Sequence, residues 1–176
     1  MKKLSIIGNG NMSIAIMKGL LSSFDITILG RNKKKLDAIS SKYGIKTQNI
    51  NSTYDITNQN ILIAIKPYSL DYLSNFKGVA ENVFSVLAGT SINTLKQNID
   101  SKTYTRVMPN ISALYKSSIT AMYSDGQEQN IANEIFSSIG EVIWMEKESD
   151  INIATIIASS GIAFLAMIAE AFEDAG

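Results

Sequence analysis

Two glycines one residue apart, Gly8 and Gly10, close a short apolar run from Leu4 to Ile7 and are followed by Asn11, Met12 and Ser13. A helical pattern begins at once, with Ile14, Met17, Leu20 and Leu21 on one face. Strand, glycine-rich turn and helix in immediate succession make a cradle for the pyrophosphate of a dinucleotide. Gly8 would allow the tight turn, and Gly10 would let the backbone come close to the phosphates. The first amides of the following helix, with its dipole, would then face the anion. Ile7, Gly8, Asn9, Gly10, Asn11 and Met12 are therefore candidate cofactor contacts. The competing reading is an ordinary glycine turn between a strand and a helix.

Other chemistry is sharply limited by composition. The chain of 176 residues contains no histidine and no cysteine. That removes the commonest general base, the commonest zinc ligand, thiolate metal sites and disulfides. Reactions are left to a cofactor, carboxylates, lysines, tyrosines or hydroxyls. Sixteen basic and sixteen acidic residues balance, so no electrostatic case arises for nucleic acid or a membrane surface. The chain opens directly on a strand, so no signal peptide is expected and the cytoplasm is the expected location.

The end of the second strand distinguishes the dinucleotides. An acidic residue is expected there for the adenosine ribose of NAD. The sequence instead reads Leu29-Gly30-Arg31-Asn32-Lys33-Lys34-Lys35. A carboxylate would repel a 2′-phosphate, whereas the forked donors of Arg31 suit one. The cofactor expected is NADP, with NADPH preferred over NADH and Arg31 and Asn32 at the adenosine end. A solvated basic helix start is the alternative.

These groups must be positioned by alternating strands and helices. Strands are expected at Leu4–Gly8, Asp25–Leu29, Asn60–Lys66, Asn82–Ala88, Thr103–Met108, Ser118–Tyr123 and Glu141–Met145. Helical patterns cover 11–23, 33–43, 69–77, 92–99 and 127–138, with a short one near 52–58. Gly44 falls where the 33–43 helix needs a C-terminal cap. Ile61 to Ile65 is apolar without alternation, as in a strand covered on both faces. The fold class is α/β: a Rossmann-type, doubly wound, mainly parallel sheet over residues 1–147. Ala64, Ile65, Lys66, Pro67, Ala88, Gly89, Pro109 and Asn110 then fall at carboxyl ends of strands, the edge where an open parallel sheet binds its ligand.

Residues 148–176 differ. They read as one long helix, and Asn152 to Ala169 carries no charge over eighteen residues. That length touches the lower limit of a membrane span. Ser159, Ser160 and Gly161 in the middle and mainly acidic flanks argue against one, and no Lys or Arg follows Lys147. Leu165, Met167, Ile168 and Phe172 cannot all face one nucleotide domain from such a helix. The expectation is the first helix of an all-α dimerisation domain, packed on a second copy, in a chain that is naturally longer.

Four segments in order resemble the pyrroline-5-carboxylate reductase family. Gly8-Asn9-Gly10-Asn11-Met12 is similar to its nucleotide turn, and Ala64-Ile65-Lys66-Pro67 to its Ala-Val-Lys-Pro. Ala88-Gly89 matches the Ala-Gly that closes the next strand. Arg106-Val107-Met108-Pro109-Asn110 matches its Arg-x-Met-Pro-Asn. The resemblance implies hydride transfer from NADPH to the C=N carbon of an imino acid, 1-pyrroline-5-carboxylate, giving L-proline. It places Asn51 beside the adenosine ribose, and Asn110, Ser160 and Gly161 at the substrate. The family's Ser-Gly-Ser-Gly-Pro-Ala-Tyr stands here as Ala158-Ser159-Ser160-Gly161-Ile162-Ala163-Phe164. Ser160, Gly161 and Ala163 are kept, while Ala158, Ser159 and Ile162 depart. The family's later Gly- and Thr-rich substrate loop has no counterpart, so a 176-residue product is expected to be incomplete as a catalyst. One rival is a β-hydroxyacid dehydrogenase, which resembles this architecture but carries a lysine on the long helix. The other is a non-catalytic NADP-binding regulator.

Overall fold

A computed structural model describes residues 1–126 and 129–176. In chain order the elements are β1 (Lys2–Ile7), α1 (Asn11–Leu20), β2 (Phe24–Gly30), α2 (Lys33–Tyr43), β3 (Lys46–Asn49), β4 (Tyr54–Asp55) and β5 (Asn60–Ile63). A 3₁₀ stretch, Pro67–Asn75, leads into β6 (Phe76–Lys77), β7 (Ala80–Ser85), α3 (Ile92–Lys96) and β8 (Ser101–Met108). A second 3₁₀ turn, Ile111–Tyr115, precedes β9 (Ser118–Ser124), α4 (Asn130–Ser137) and β10 (Gly140–Trp144). The chain closes with α5 (Asp150–Thr155), a π-helical stretch Ile156–Gly161, and α6 (Ile162–Ala175).

Eight strands form one sheet in the order β3-β2-β1-β5-β7-β8-β9-β10. All neighbours are parallel except β8 and β9. The first six strands share one direction, and β9 and β10 run against them. The sheet is covered on both faces because its central strands carry consecutive apolar residues, such as Ile6-Ile7, Ile28-Leu29, Ile61-Leu62-Ile63 and Val83-Phe84. Ile6, Ile28, Leu62 and Phe84 face α1, α2 and α4 through Met17, Leu36 and Phe136. Ile7, Leu29, Ile61, Ile63 and Val83 face the opposite layer, which holds Tyr72, Leu73, Ile92 and Leu95. Successive residues of a strand point to opposite faces, so only an unbroken apolar run can serve two layers.

Several sequence expectations shift. β5 ends at Ile63 rather than Lys66, although the Ala64 amide still donates to the Ile7 carbonyl at 2.8 Å. β7 ends at Ser85 rather than Ala88, because the Ser85 hydroxyl accepts from the Leu87 amide and turns the chain. The first helix stops at Leu20 and the helix at 92 stops at Lys96. Residues 69–77 are 3₁₀ rather than α-helical and give way to β6 at Phe76. The helix near 52–58 does not exist. Asp55 accepts from both the amide and the hydroxyl of Thr57, and Asn58 takes a left-handed turn with φ 55°. That local bonding competes with a helix. Tyr54 and Asp55 pair instead with Phe76 and Lys77. The helix expected over 127–138 is seen from Asn130 to Ser137, and residues 127 and 128 lie outside the described residues. The helix 33–43 agrees at both ends, and Gly44 caps it with left-handed backbone.

The tail is a single helical run of 26 residues, Asp150–Ala175, long and apolar enough by length and composition to cross a membrane. Its first turns dock on the sheet. Ile151 is fully buried and packs with Met108 and Ala121. No residue of α6 is buried, and Phe164, Leu165, Met167, Ile168 and Phe172 are exposed.

Candidate functional site

Strand order reverses between β1 and β5. In an open α/β sheet the crevice at that reversal, beyond the carboxyl ends of the strands, is where ligands bind. Gly8 stands at its mouth with φ +124°. Its amide donates to the Leu29 carbonyl at 2.8 Å. A Cβ at this position would sit on the Ala64 carbonyl, 2.7 Å from its carbon. Only glycine meets both the backbone angle and the close approach. The Gly8 carbonyl accepts from the Ser13 hydroxyl at 2.7 Å, and Ser13 is fully buried. Ser13 occupies the place of the fingerprint's third small residue and adds a hydrogen bond that fixes the turn. Sequence reasoning gave it no role.

Gly10 is different. It is the N-cap of α1 with extended backbone, φ −87° and ψ −178°, and a Cβ there would meet nothing within 4 Å. No side chain caps this helix, and no acidic residue lies in its first turn. The first-turn amides at Asn11 and Met12 lack the side-chain partner that helix starts normally find. The side-chain nitrogen of Asn9 is buried and has no hydrogen-bond partner. A buried amide without a partner is costly. Open space at Gly10, uncapped amides and an orphaned donor on the same turn fit a bound phosphodiester with its attached ribose.

Arg31 directly follows β2. Its guanidinium lies over the ring of Tyr72, 4.7 Å from the centroid. It shares an open recess of about 370 Å³ with Asn51, Asp71 and Tyr72. Asn32 caps α2 by accepting from the Lys35 amide at 3.0 Å. Asn49, which sequence reasoning passed over, donates to the carbonyls of Gly30 and Arg31 and accepts from Asn51. It thereby ties the end of β2 to Asn51. Asn49 ends β3, a polar edge strand whose half-exposed Lys-Thr-Gln-Asn carries no apolar signal. Burial pushes the Tyr72 phenol above its ordinary pKa, against the pull of the Arg31 charge. Its hydroxyl donates to the Ile50 carbonyl at 3.1 Å.

On the other side of the reversal lie Ala64, Ile65, Lys66 and Pro67, leaving β5. Ala64 is buried and Lys66 is exposed. Lys66 is extended, as a residue before proline prefers, and starts the 3₁₀ stretch. Ala88 and Gly89 follow β7, both exposed, and Gly89 has φ +68° with open space at its Cβ position. Asn110, at the end of β8, is buried. Its side chain accepts from the Ser112 amide, and its own amide donates to the Ser118 hydroxyl. All these residues line one edge of the sheet.

Ser160 and Gly161 stand apart from that edge, in the π-helical stretch beyond α5. Among the described residues no hydrogen bond joins them to Asn110. What fixes the start of their helix is Arg106. This arginine is only 3% exposed. It donates to a Glu148 carboxylate oxygen at 3.3 Å and to the Asn152 side chain at 3.1 Å. The same Glu148 oxygen accepts from the Ile92 amide at 2.7 Å. The motif that carries Arg106 was legible, but this clasp between sheet, α3 and tail was not.

Residues 3–83 match the family model described as NADP oxidoreductase coenzyme F420-dependent. Pyrroline-5-carboxylate reductase of Helicobacter pylori strain J99 is 31% identical over 185 residues, an alignment spanning 100% of this chain and 72% of that protein. The chain belongs to the pyrroline-5-carboxylate reductase family. The Streptococcus pyogenes member superposes with a TM-score of 0.84 at 26% identity, covering 99% of this chain and 69% of the other. The Plasmodium falciparum reductase with NADP bound gives 0.79 at 26% identity, covering 99% and 68%.

The two glycines separate fold from binding. Gly10→Val should leave the far-UV spectrum and melting temperature unchanged and abolish nucleotide binding, since the new side chain projects into open space. Gly8→Val should unfold the turn, at a cost of about 1–3 kcal/mol from backbone strain alone. Wild-type nucleotide affinity in Gly10→Val would show that the turn is only structural.

Proposed function

We propose that this protein reduces 1-pyrroline-5-carboxylate to L-proline and prefers NADPH to NADH. The observation that carries this reading is the crevice at Gly8–Met12, with its orphaned Asn9 amide, in a chain related along its whole length to pyrroline-5-carboxylate reductases. The bound cofactor supplies the hydride. The protein's part is alignment. Amides after Gly10 hold the pyrophosphate, Arg31, Asn32 and Asn51 frame the adenosine end, and the exposed backbone at Ala88 and Gly89 leaves room for a flat ring. Ala64 to Pro67 forms the facing wall. Asn110 and the amides near Ser160 and Gly161 orient the substrate and its carboxylate. A protonated imine is already electrophilic, so the absence of histidine and cysteine is no obstacle. Alignment of two bound reactants is itself a large rate term. A β-hydroxyacid dehydrogenase would need a base on the tail helix, and nothing from Glu148 to Gly176 is Lys or Arg.

We divide the chain into a nucleotide domain, 1–147, and the first helix of a dimerisation and substrate domain, 148–176. The Arg106 clasp is the seam. The exposed apolar faces of α6 take a second copy of this chain rather than lipid. The helix start is tied to the sheet edge, and both its ends carry carboxylates: Glu146, Glu148 and Asp150 before it, Glu170, Glu173 and Asp174 late in it. Burying each large apolar side chain is worth about 1.5–3 kcal/mol, enough in sum to drive association.

Three measurements test this reading. Steady-state assay of a longer chain that includes the family's later substrate loop should show NADPH consumed with 1-pyrroline-5-carboxylate and not with β-keto acids. Arg31→Ala should weaken NADPH about tenfold or more, the loss of one charge-assisted phosphate contact, and leave NADH almost unchanged. Equal loss for both cofactors would remove Arg31 from 2′-phosphate recognition, and no turnover with intact nucleotide binding would favour a regulator. Sedimentation of a longer chain at micromolar concentration should give a dimer, with weaker association for residues 1–176 alone, and a clean monomer of the longer chain with α6 docked on its own sheet would defeat the pairing through α6.

A further inference from the structure

The Arg31 side chain has no ion pair or side-chain hydrogen bond among the described residues, although Asp71 lines the same recess. The guanidinium instead rests on the Tyr72 ring, 4.7 Å from its centroid. That ring is itself fixed. It is 5% exposed, its hydroxyl is bonded to the Ile50 carbonyl at 3.1 Å, and the Phe76 ring meets it edge-on at 5.5 Å. Stacking engages the face of a guanidinium and leaves its in-plane N–H donors outward. Those donors are what a phosphate takes in pairs.

We infer that Tyr72 is a specificity-determining positioning residue: its buried ring is a platform that holds the Arg31 guanidinium edge-outward for the 2′-phosphate of NADP. This rests on the reading that Arg31 contacts that phosphate. Tyr72 touches neither the reacting atoms nor the phosphate. Its contribution is to hold Arg31 at the recess and to reduce the freedom lost when the phosphate binds. Discrimination between NADPH and NADH therefore depends on a residue some forty positions beyond Arg31.

The test measures dissociation constants of NADPH and NADH for wild type, Arg31→Ala, Tyr72→Leu and Tyr72→Phe by nucleotide fluorescence. Tyr72→Leu should lower the NADPH-to-NADH preference by about two- to fivefold, the fold-change expected for loss of one exposed cation–π contact. NADH affinity should be unchanged. Tyr72→Phe keeps the ring face and should restore the wild-type ratio. A wild-type ratio in Tyr72→Leu, or a Tyr72→Phe as poor as Tyr72→Leu, overturns the assignment. If Arg31→Ala leaves NADPH binding intact, it is the 2′-phosphate reading that fails. Should Tyr72→Leu not fold, the wild-type protein answers by NMR. The Arg31 δ protons should be shifted upfield by the ring and stay so at saturation with 2′,5′-ADP. A return to ordinary arginine shifts on binding would show that Arg31 leaves the ring and would overturn the platform.

Discussion

The contact between Gly8 and the Ala64 carbonyl is the constraint on which the site depends. At this point β1 and β5 run side by side while their following segments leave in opposite directions. A side chain at residue 8 would collide with Ala64, and φ +124° excludes other residues in any case. Because the gap closes, the Gly8 amide reaches Leu29 and the Gly8 carbonyl reaches Ser13. Those two bonds set the direction in which α1 departs. The crevice, the uncapped amides and the stranded Asn9 donor all follow from that direction.

A second constraint acts at a distance. Arg106 is buried near the carboxyl end of β8, and a buried guanidinium without partners is expensive. Its partners come from the segment that begins the tail, Glu148 and Asn152, while Glu148 also takes the Ile92 amide at the start of α3. The sheet therefore reaches its lowest energy only with the tail docked. The same docking buries Ile151 against Met108, the last residue of the strand that carries Arg106. Polar and apolar contacts thus agree on where the helix with Ser160 and Gly161 starts. The π-helical turn at Ile156–Gly161 then lies across the stretch that resembles the family's substrate motif, and such wide turns are frequent at functional sites.

What could be read from sequence divides along physical lines. Continuous apolar runs and glycine turns are local signals, so β1, β2, β5, the turn at Gly8–Gly10 and the cap at Gly44 were legible. The edge strand β3 was not, because an edge needs little apolar surface and Lys46–Asn49 supplies none. The helix expected near 52–58 is absent because Asp55 and Thr57 bond each other in a local turn that competes with helical bonding. Within the site, Gly10 and Arg31 carry their meaning in residue type and position. Tyr72, Asn49 and Glu148 do not. Each acts through a partner far along the chain, and no spacing rule brings Tyr72 to Arg31 or Glu148 to Arg106.

The central claim is that one extended nucleotide lies across the reversal of strand order, from Arg31 past Gly10 to Gly89. A crystal structure of the protein with NADP bound tests it most directly. The account predicts the pyrophosphate against the amides at Asn11 and Met12, the Asn9 side chain newly bonded to the ligand, and the 2′-phosphate within hydrogen-bond distance of Arg31. Nucleotide bound elsewhere, or in the crevice with Arg31 turned away and Asn9 still without a partner, would contradict it.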